Sequence, residues 1–308
     1  MHLCSFIALF FLAGCASIQS SLFDMGVASE RAQSGLEGHT VEIDERPIHY
    51  LERGGEGPDT QTLVLVHGFA GDKNHWIRFA RFLPPGHRVL APDLPAHGDN
   101  ALDPAVTYSI TYLTDALSAF IDALNVGPVH LVGNSLGGRI ATELALAQPE
   151  RVRTVSLFDP AGLASPEPSD LDVALGRGEN LLIPTTRDEY DTLIAISFGD
   201  DAPELPWPAP AVLARRYANR ASVYRKIWAD FGTEPNDLDS RLHQLAPPLL
   251  VVWGEQDCVI DVSAAGRWAN HVPHAEVEIM AGVGHAPMLE RPEETAMLVD
   301  AFIKRANR

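Results

Sequence analysis

Five short, unbroken apolar runs constrain the fold more than any other feature: TLVLVH (62–67), RVLAPD (88–93), VHLVGN (129–134), VRTVSLFD (152–159) and PLLVVWG (248–254). Helix-like stretches at 74–83, 109–125, 136–148 and 263–271 alternate with them. A strand with one wet face alternates apolar and polar residues, so short runs in which apolar residues fall on both parities imply burial on both faces. Parallel strands also need long crossover connections, which the helical stretches supply. The pattern therefore predicts a mostly parallel, doubly wound α/β sheet. Upstream, 40–43 and 48–51 alternate like antiparallel strands around a polar turn at Asp44–Pro47. With 308 residues, 46% of them hydrophobic, the chain can fill one large core.

Residues 161–239 break the rhythm: they are proline-rich (Pro166 to Pro235), helix-like in places such as 211–230, and lack a strong strand. An insertion of this kind between two sheet strands reads as a helical lid over the sheet's carboxyl edge, where α/β proteins hold ligands. The expected organisation is a core of 39–160 and 240–308 with a lid at 161–239.

Gly133-Asn134-Ser135-Leu136-Gly137 follows one apolar run directly and opens a helix-like stretch. This is G-x-S-x-G in strand–turn–helix context, which makes Ser135 the candidate nucleophile, with Gly133 and Gly137 small enough to permit the sharp turn. The helix start aims the Leu136 N–H at an oxyanion, and a second donor is expected from Phe69 in His67-Gly68-Phe69-Ala70-Gly71. His67 precedes the nucleophile and reads as orienting that loop. Chain order then calls for an acid and a histidine. Asp257, in LLVVWGEQD, is the first choice of acid, with Asp159 and Asp261 as rivals. His285, in Ala281-Gly282-Val283-Gly284-His285, is the base. Cys258 reads as a packing residue, and Leu181, Leu182, Ile183, Leu193, Ile194, Phe198 and Trp207 are candidates for an acyl pocket or for the lid's own core.

The formal net charge of −18 argues against nucleic acid as a partner. The three cysteines, Cys4, Cys15 and Cys258, without CxxC or HExxH, argue against a disulfide scaffold and a zinc site. Leu3–Ala13 is an uncharged apolar run, too short to span a bilayer and ended by Gly14-Cys15. Leu12-Ala13-Gly14-Cys15 resembles the lipobox of bacterial lipoproteins. That implies a signal peptide over 1–14, acylation of Cys15, and a tether and surface helix over 15–38. Ala16 after the cysteine implies an outer-membrane lipoprotein facing the periplasm.

VLVHGFAGDKNHW, PDLPAHGD, LVGNSLGG, VVWGEQD and GVGHAPMLERP together resemble the α/β-hydrolase superfamily over about residues 40–308. DPAGL (159–163), LIPTTRDEYDTL (182–193), VYRKIWADF (223–231) and WGEQDCVIDVSAAG are similar to the α/β-hydrolase-domain monoacylglycerol lipases and bacterial family V lipases. The resemblance implies acylglycerol hydrolysis by Ser135, Asp257 and His285, with no metal or cofactor, and structural roles for Asp93 and His97. Carbon–carbon bond hydrolases of aromatic degradation share the elbow but carry Trp after the histidine, where this chain has Ala286. Cofactor-free haloperoxidases keep the same triad. A catalytically silent, lipid-anchored binding protein is the alternative from another class.

Overall fold

A computed structural model describes residues 3–308 apart from 56, 58 and 59, with side chains placed from Ala16 onward. The expected acylation at Cys15 and the side chains of the expected leader lie outside the described residues. The strands are β1 (Glu37–Ile43), β2 (Arg46–Arg53), β3 (Gln61–Val66), β4 (His87–Pro92), β5 (Val129–Asn134), β6 (Val152–Phe158), β7 (Leu249–Gly254) and β8 (Glu276–Met280). Among the described residues they form one sheet in the order β1-β2-β4-β3-β5-β6-β7-β8. β2 is antiparallel to both its neighbours; every pairing from β4 to β8 is parallel. The first hairpin turns more tightly than expected. Asp44 (φ 49°) and Glu45 (φ 61°) form the whole loop, a two-residue turn of positive-φ residues whose twist matches the right-handed twist of the strands, and Arg46 already pairs with Ile43.

The unbroken runs have the expected cause. Val64, Val66, Leu131, Leu157 and Val251 face one core, with Phe120 of α3 (Ile110–Ala123) and Ile140 of α4 (Leu136–Ala147). Their strand neighbours Leu63, Leu65, Val132, Phe158 and Val252 face the other, with Phe79 of α2 (Ile77–Phe82) and Phe302 of α11 (Pro292–Ala306). A strand with helices on both faces has no wet side on which to place a polar residue.

Between β6 and β7 the chain builds α5 (Asp170–Gly176), α6 (Arg187–Ser197), α7 (Ala209–Phe231) and α8 (Leu238–Arg241). Capping boxes start two of them: Ser169 with Asp172, and Thr186 with Glu189. After β7 come α9 (Ala265–His271) and α10 (Pro287–Glu290).

The segment 15–38, expected as a tether and surface helix, divides: as far as Gln33 it belongs to one long helix, α1 (Leu3–Gln33), and Glu37 and Gly38 open β1. The helix is held on the body. Arg31 donates to Asn74 Oδ1 at 2.6 and 2.9 Å, Glu30 pairs with Arg78 at 2.8 Å, Ser34 Oγ donates to Ile77 O at 2.9 Å, and Asp24 pairs with Arg216 of α7 at 2.6 Å. Among the described residues no helix is long and apolar enough to cross a membrane.

Candidate active site

The sheet order reverses at β3. The chain moves from β3 outward to β4, then returns to β5 on the other side, so the carboxyl ends of β3 and β5 open a crevice between them. Ser135 stands at the end of β5 and caps α4 with φ 53° and ψ −117°, a strained conformation characteristic of a functional turn. The flanking glycines are required by space. A Cβ on Gly137 would lie 2.1 Å from Val66 O, and one on Gly133 would lie 2.4 Å from Gly137 O. Ser135 N–H donates to Phe158 O at 2.9 Å and Ala161 N–H donates to Ser135 O at 3.0 Å, which ties the elbow to β6.

The loop after β3 forms the opposite wall. Leu136 N–H, at the first turn of α4, has no intrahelical partner, and Phe69 N–H makes no hydrogen bond among the described residues. The Phe69 ring packs edge-on against Trp228 and Phe231 of α7, at 5.4 and 5.8 Å. His67 is fully buried. Its Nδ1–H donates to Gly68 O at 2.8 Å and its Nε2 accepts from Leu94 N–H at 3.0 Å, so both ring nitrogens are used in holding this loop. Burial, then the neighbouring His97, holds its pKa well below the ordinary histidine range, and the ring is neutral. Asp93 accepts from Lys73 N–H at 2.8 Å and Lys73 Nζ at 2.5 Å, clamping the same loop to the one after β4.

Asp257 and His285 meet beyond the ends of β7 and β8. His285 Nδ1–H donates to Asp257 Oδ2 at 2.8 Å, while Asp257 Oδ1 accepts Val259 and Ile260 N–H at 2.8 and 3.0 Å. The Asp257 side chain is fully buried and so held for one purpose. The rivals are elsewhere employed: Asp261 caps a short turn through Ser263 N–H at 2.9 Å, and Asp159 accepts Gly254 N–H at 2.8 Å. Ser135 Oγ is not hydrogen-bonded to the imidazole; such contacts tighten when substrate fills the site. Burial pushes the Cys258 thiol up, which keeps it protonated and unreactive.

Two residues escaped sequence reasoning. Asn134 Nδ2 donates to Phe158 O at 3.1 Å and to His285 O at 3.0 Å, stapling the loop of His285 to the strand that leads into Ser135. Glu290 accepts Gly284 N–H at 3.0 Å and Gly199 N–H at 2.9 Å, joining that loop to the lid. The signal for Asn134 was a buried polar residue closing an otherwise apolar strand. Glu290 left none, because its partners come from distant parts of the chain.

Ser135, Leu136 and Phe69 line one cavity of about 810 Å³. Leu182, Trp228, Phe231, Val259 and Ile260 give it apolar wall, and Arg139, Asn236, Asp237 and Arg241 give it polar wall. The expected acyl-pocket set divides. Only Leu182 faces this cavity. Leu193, Ile194, Phe198 and Trp207 line a second one of about 910 Å³ between α1, α6 and α7, while Ile183 joins the main core and Leu181 the small cluster around Leu171. Helical periodicity marks which residues turn inward but not toward which of two cavities.

A family model described as the alpha/beta hydrolase fold matches residues 61–292, a span that contains Phe69, Ser135, Asp257 and His285. The chain belongs to the α/β-hydrolase fold family. This hydrolase is 30% identical to monoacylglycerol lipase abhd6-B of Xenopus laevis over 82% of the chain and 78% of the relative. It is also 30% identical to Lipase 1 of Psychrobacter immobilis, over 96% and 95%. Among solved structures it resembles that of a membrane phospholipase A, a bacterial virulence factor, with TM-score 0.90, 33% identity and coverage of 99% and 98%.

Proposed function

We propose that this hydrolase is an acylglycerol lipase of the monoacylglycerol type, working through an acyl-enzyme on Ser135. Its class is carboxylic ester hydrolase. The observation that carries the substrate reading is the 810 Å³ cavity, which offers apolar wall for an acyl chain and polar wall for a hydroxylated head beside one serine. His285 Nε2 takes the Ser135 proton as Oγ attacks the ester carbonyl, and the Phe69 and Leu136 N–H groups receive the oxyanion. Collapse breaks the C–O bond, and the proton on His285 leaves with the alcohol. Water then repeats the sequence to free the acid and restore Ser135. Asp257 holds the tautomer and stabilises the imidazolium. The monoacylglycerol lipase, Lipase 1 and phospholipase names of similar proteins support a lipid ester.

A hydrolysis panel tests the substrate: monoacylglycerols, triacylglycerols, short aryl esters and a dienoic diketone. Monoacylglycerols are expected to give the highest kcat/KM; cleavage of the diketone alone would overturn the reading in favour of carbon–carbon hydrolysis.

The location is proposed with it: an envelope lipoprotein anchored through Cys15, where several acyl chains would hold it stably. Cys15→Ala is expected to move the protein from the membrane pellet to the soluble fraction. Unchanged fractionation would remove the anchor.

A further inference from the structure

Asp159 ends β6 with φ 47° and is fully buried behind the acid–base pair. A non-glycine residue in the left-handed region is uncommon, and such strain persists where the surroundings fix it. Its Oδ1 accepts Gly254 N–H at 2.8 Å. Its Oδ2 is buried with no hydrogen-bond partner. One polar side-chain atom from each of Asp159, Asp257 and His285 lies within 4.8 Å of the others.

The charged and titratable groups facing Asp159 are Asp257 from the loop after β7, His285 from the loop after β8, and Glu290 from α10. Both Asp257 oxygens accept hydrogen bonds, from backbone N–H groups and from the imidazole, so within the carboxyl pair Asp257 is the acceptor. A second buried carboxylate at this range would have no cation of its own. A proton on Oδ2 removes that conflict and supplies the donor that the unpartnered oxygen lacks. Burial, then the charge on Asp257, pushes the Asp159 carboxyl well above the ordinary range, in the same direction.

We propose that Asp159 is a neutral carboxylic acid whose Oδ2–H donates to Asp257, a positioning residue that leaves the carboxyl pair with one negative charge instead of two. The proposal rests on the triad reading above. Its consequence is for the base: two full charges behind His285 would hold the imidazole protonated and unable to accept the Ser135 proton. One charge orients the ring and leaves it available.

Asp159→Asn and Asp159→Leu test this. The amide keeps an acceptor for Gly254 and a donor for Asp257, so Asp159→Asn is expected to retain kcat/KM within about threefold, with the acidic limb of its pH profile unmoved. Asp159→Leu is expected to lose kcat by roughly tenfold or more at unchanged KM. A readout independent of activity is thermal stability. The native acid keeps a proton that the unfolded chain releases above about pH 4, so native wild type binds more protons and loses stability as pH rises. The Asn variant lacks this slope, and its melting temperature is expected to exceed that of wild type by a margin that widens from pH 5 to pH 8. Three results would each overturn the proposal: failure of Asp159→Asn to fold, a fall of its acidic limb by about one unit or more, or a margin that stays flat or narrows. Activity surviving in Ser135→Ala would instead overturn the triad reading and leave the stability arm to decide on Asp159.

Discussion

Ser135→Ala and His285→Ala are each expected to lower kcat for ester hydrolysis by roughly 10⁵-fold or more, and the double variant to be no worse than the poorer single. Alanine at 135 removes the atom that bonds to the acyl carbon. Alanine at 285 leaves that atom bearing a proton with no acceptor in reach, so either change ends the same covalent route. Losses that simply multiply would mean that the two residues act in separate steps. Retained turnover in Ser135→Ala would refute the nucleophile outright. The Phe69 and Leu136 N–H groups, proposed as the oxyanion donors, are backbone groups and survive both changes, so a residue of hydrolysis above the rate in water is expected. Labelling by a fluorophosphonate, present in wild type and absent in Ser135→Ala, separates an enzyme from a silent binding protein.

Loss of stability in mild acid is the second large effect. His67, His97 and His130 are fully buried in the fold. Burial lowers all three: His97 to about 4, His130 to about 3 and His67 well below the ordinary value. A depressed histidine stays neutral when native but takes a proton when unfolded below about pH 6.5, so its stability contribution is present above that pH and lost below it. Each such proton costs about 1.4 kcal/mol per pH unit. Asp159, Asp93 and Glu290, whose carboxyls burial raises, run the other way and offset part of this, leaving a net cost of roughly 1–3 kcal/mol per unit between pH 6.5 and 4. Against a typical total of about 5–15 kcal/mol, that is enough to unfold the protein within a few units. Urea unfolding at fixed temperature from pH 7.5 to 4.5 measures the slope. His130→Gln should reduce it by about one proton's worth; a flat profile would mean that these rings charge without cost.

The sheet was legible because burial on both faces depletes a strand of polar residues on both parities, and several short runs such as TLVLVH alternating with helix-like stretches fit a parallel sheet. The turn at Ser135 and the loop at His285 were legible for a related reason: each holds a glycine whose Cβ would collide with backbone, Gly137 against Val66 O and Gly284 against Gly199 N. The acid was harder. Asp159 and Asp257 both follow buried strands, and no local pattern says which carboxylate reaches the imidazole.

Only the tertiary structure decided that question, because the Asp257–His285 contact spans 28 residues of chain and depends on where two loops cross the sheet edge. It likewise joined Glu290 to Gly199 and docked α1 on the body. It also separated the lid's apolar residues between two cavities. The sequence by itself determined the α/β class, the strand positions and the sharp glycine-flanked turn at Ser135, since each follows from steric or burial rules acting over a few neighbouring residues. The choice of acid, the state of its buried neighbour and the division of the lid rest on distances between remote segments, which no local rule sets.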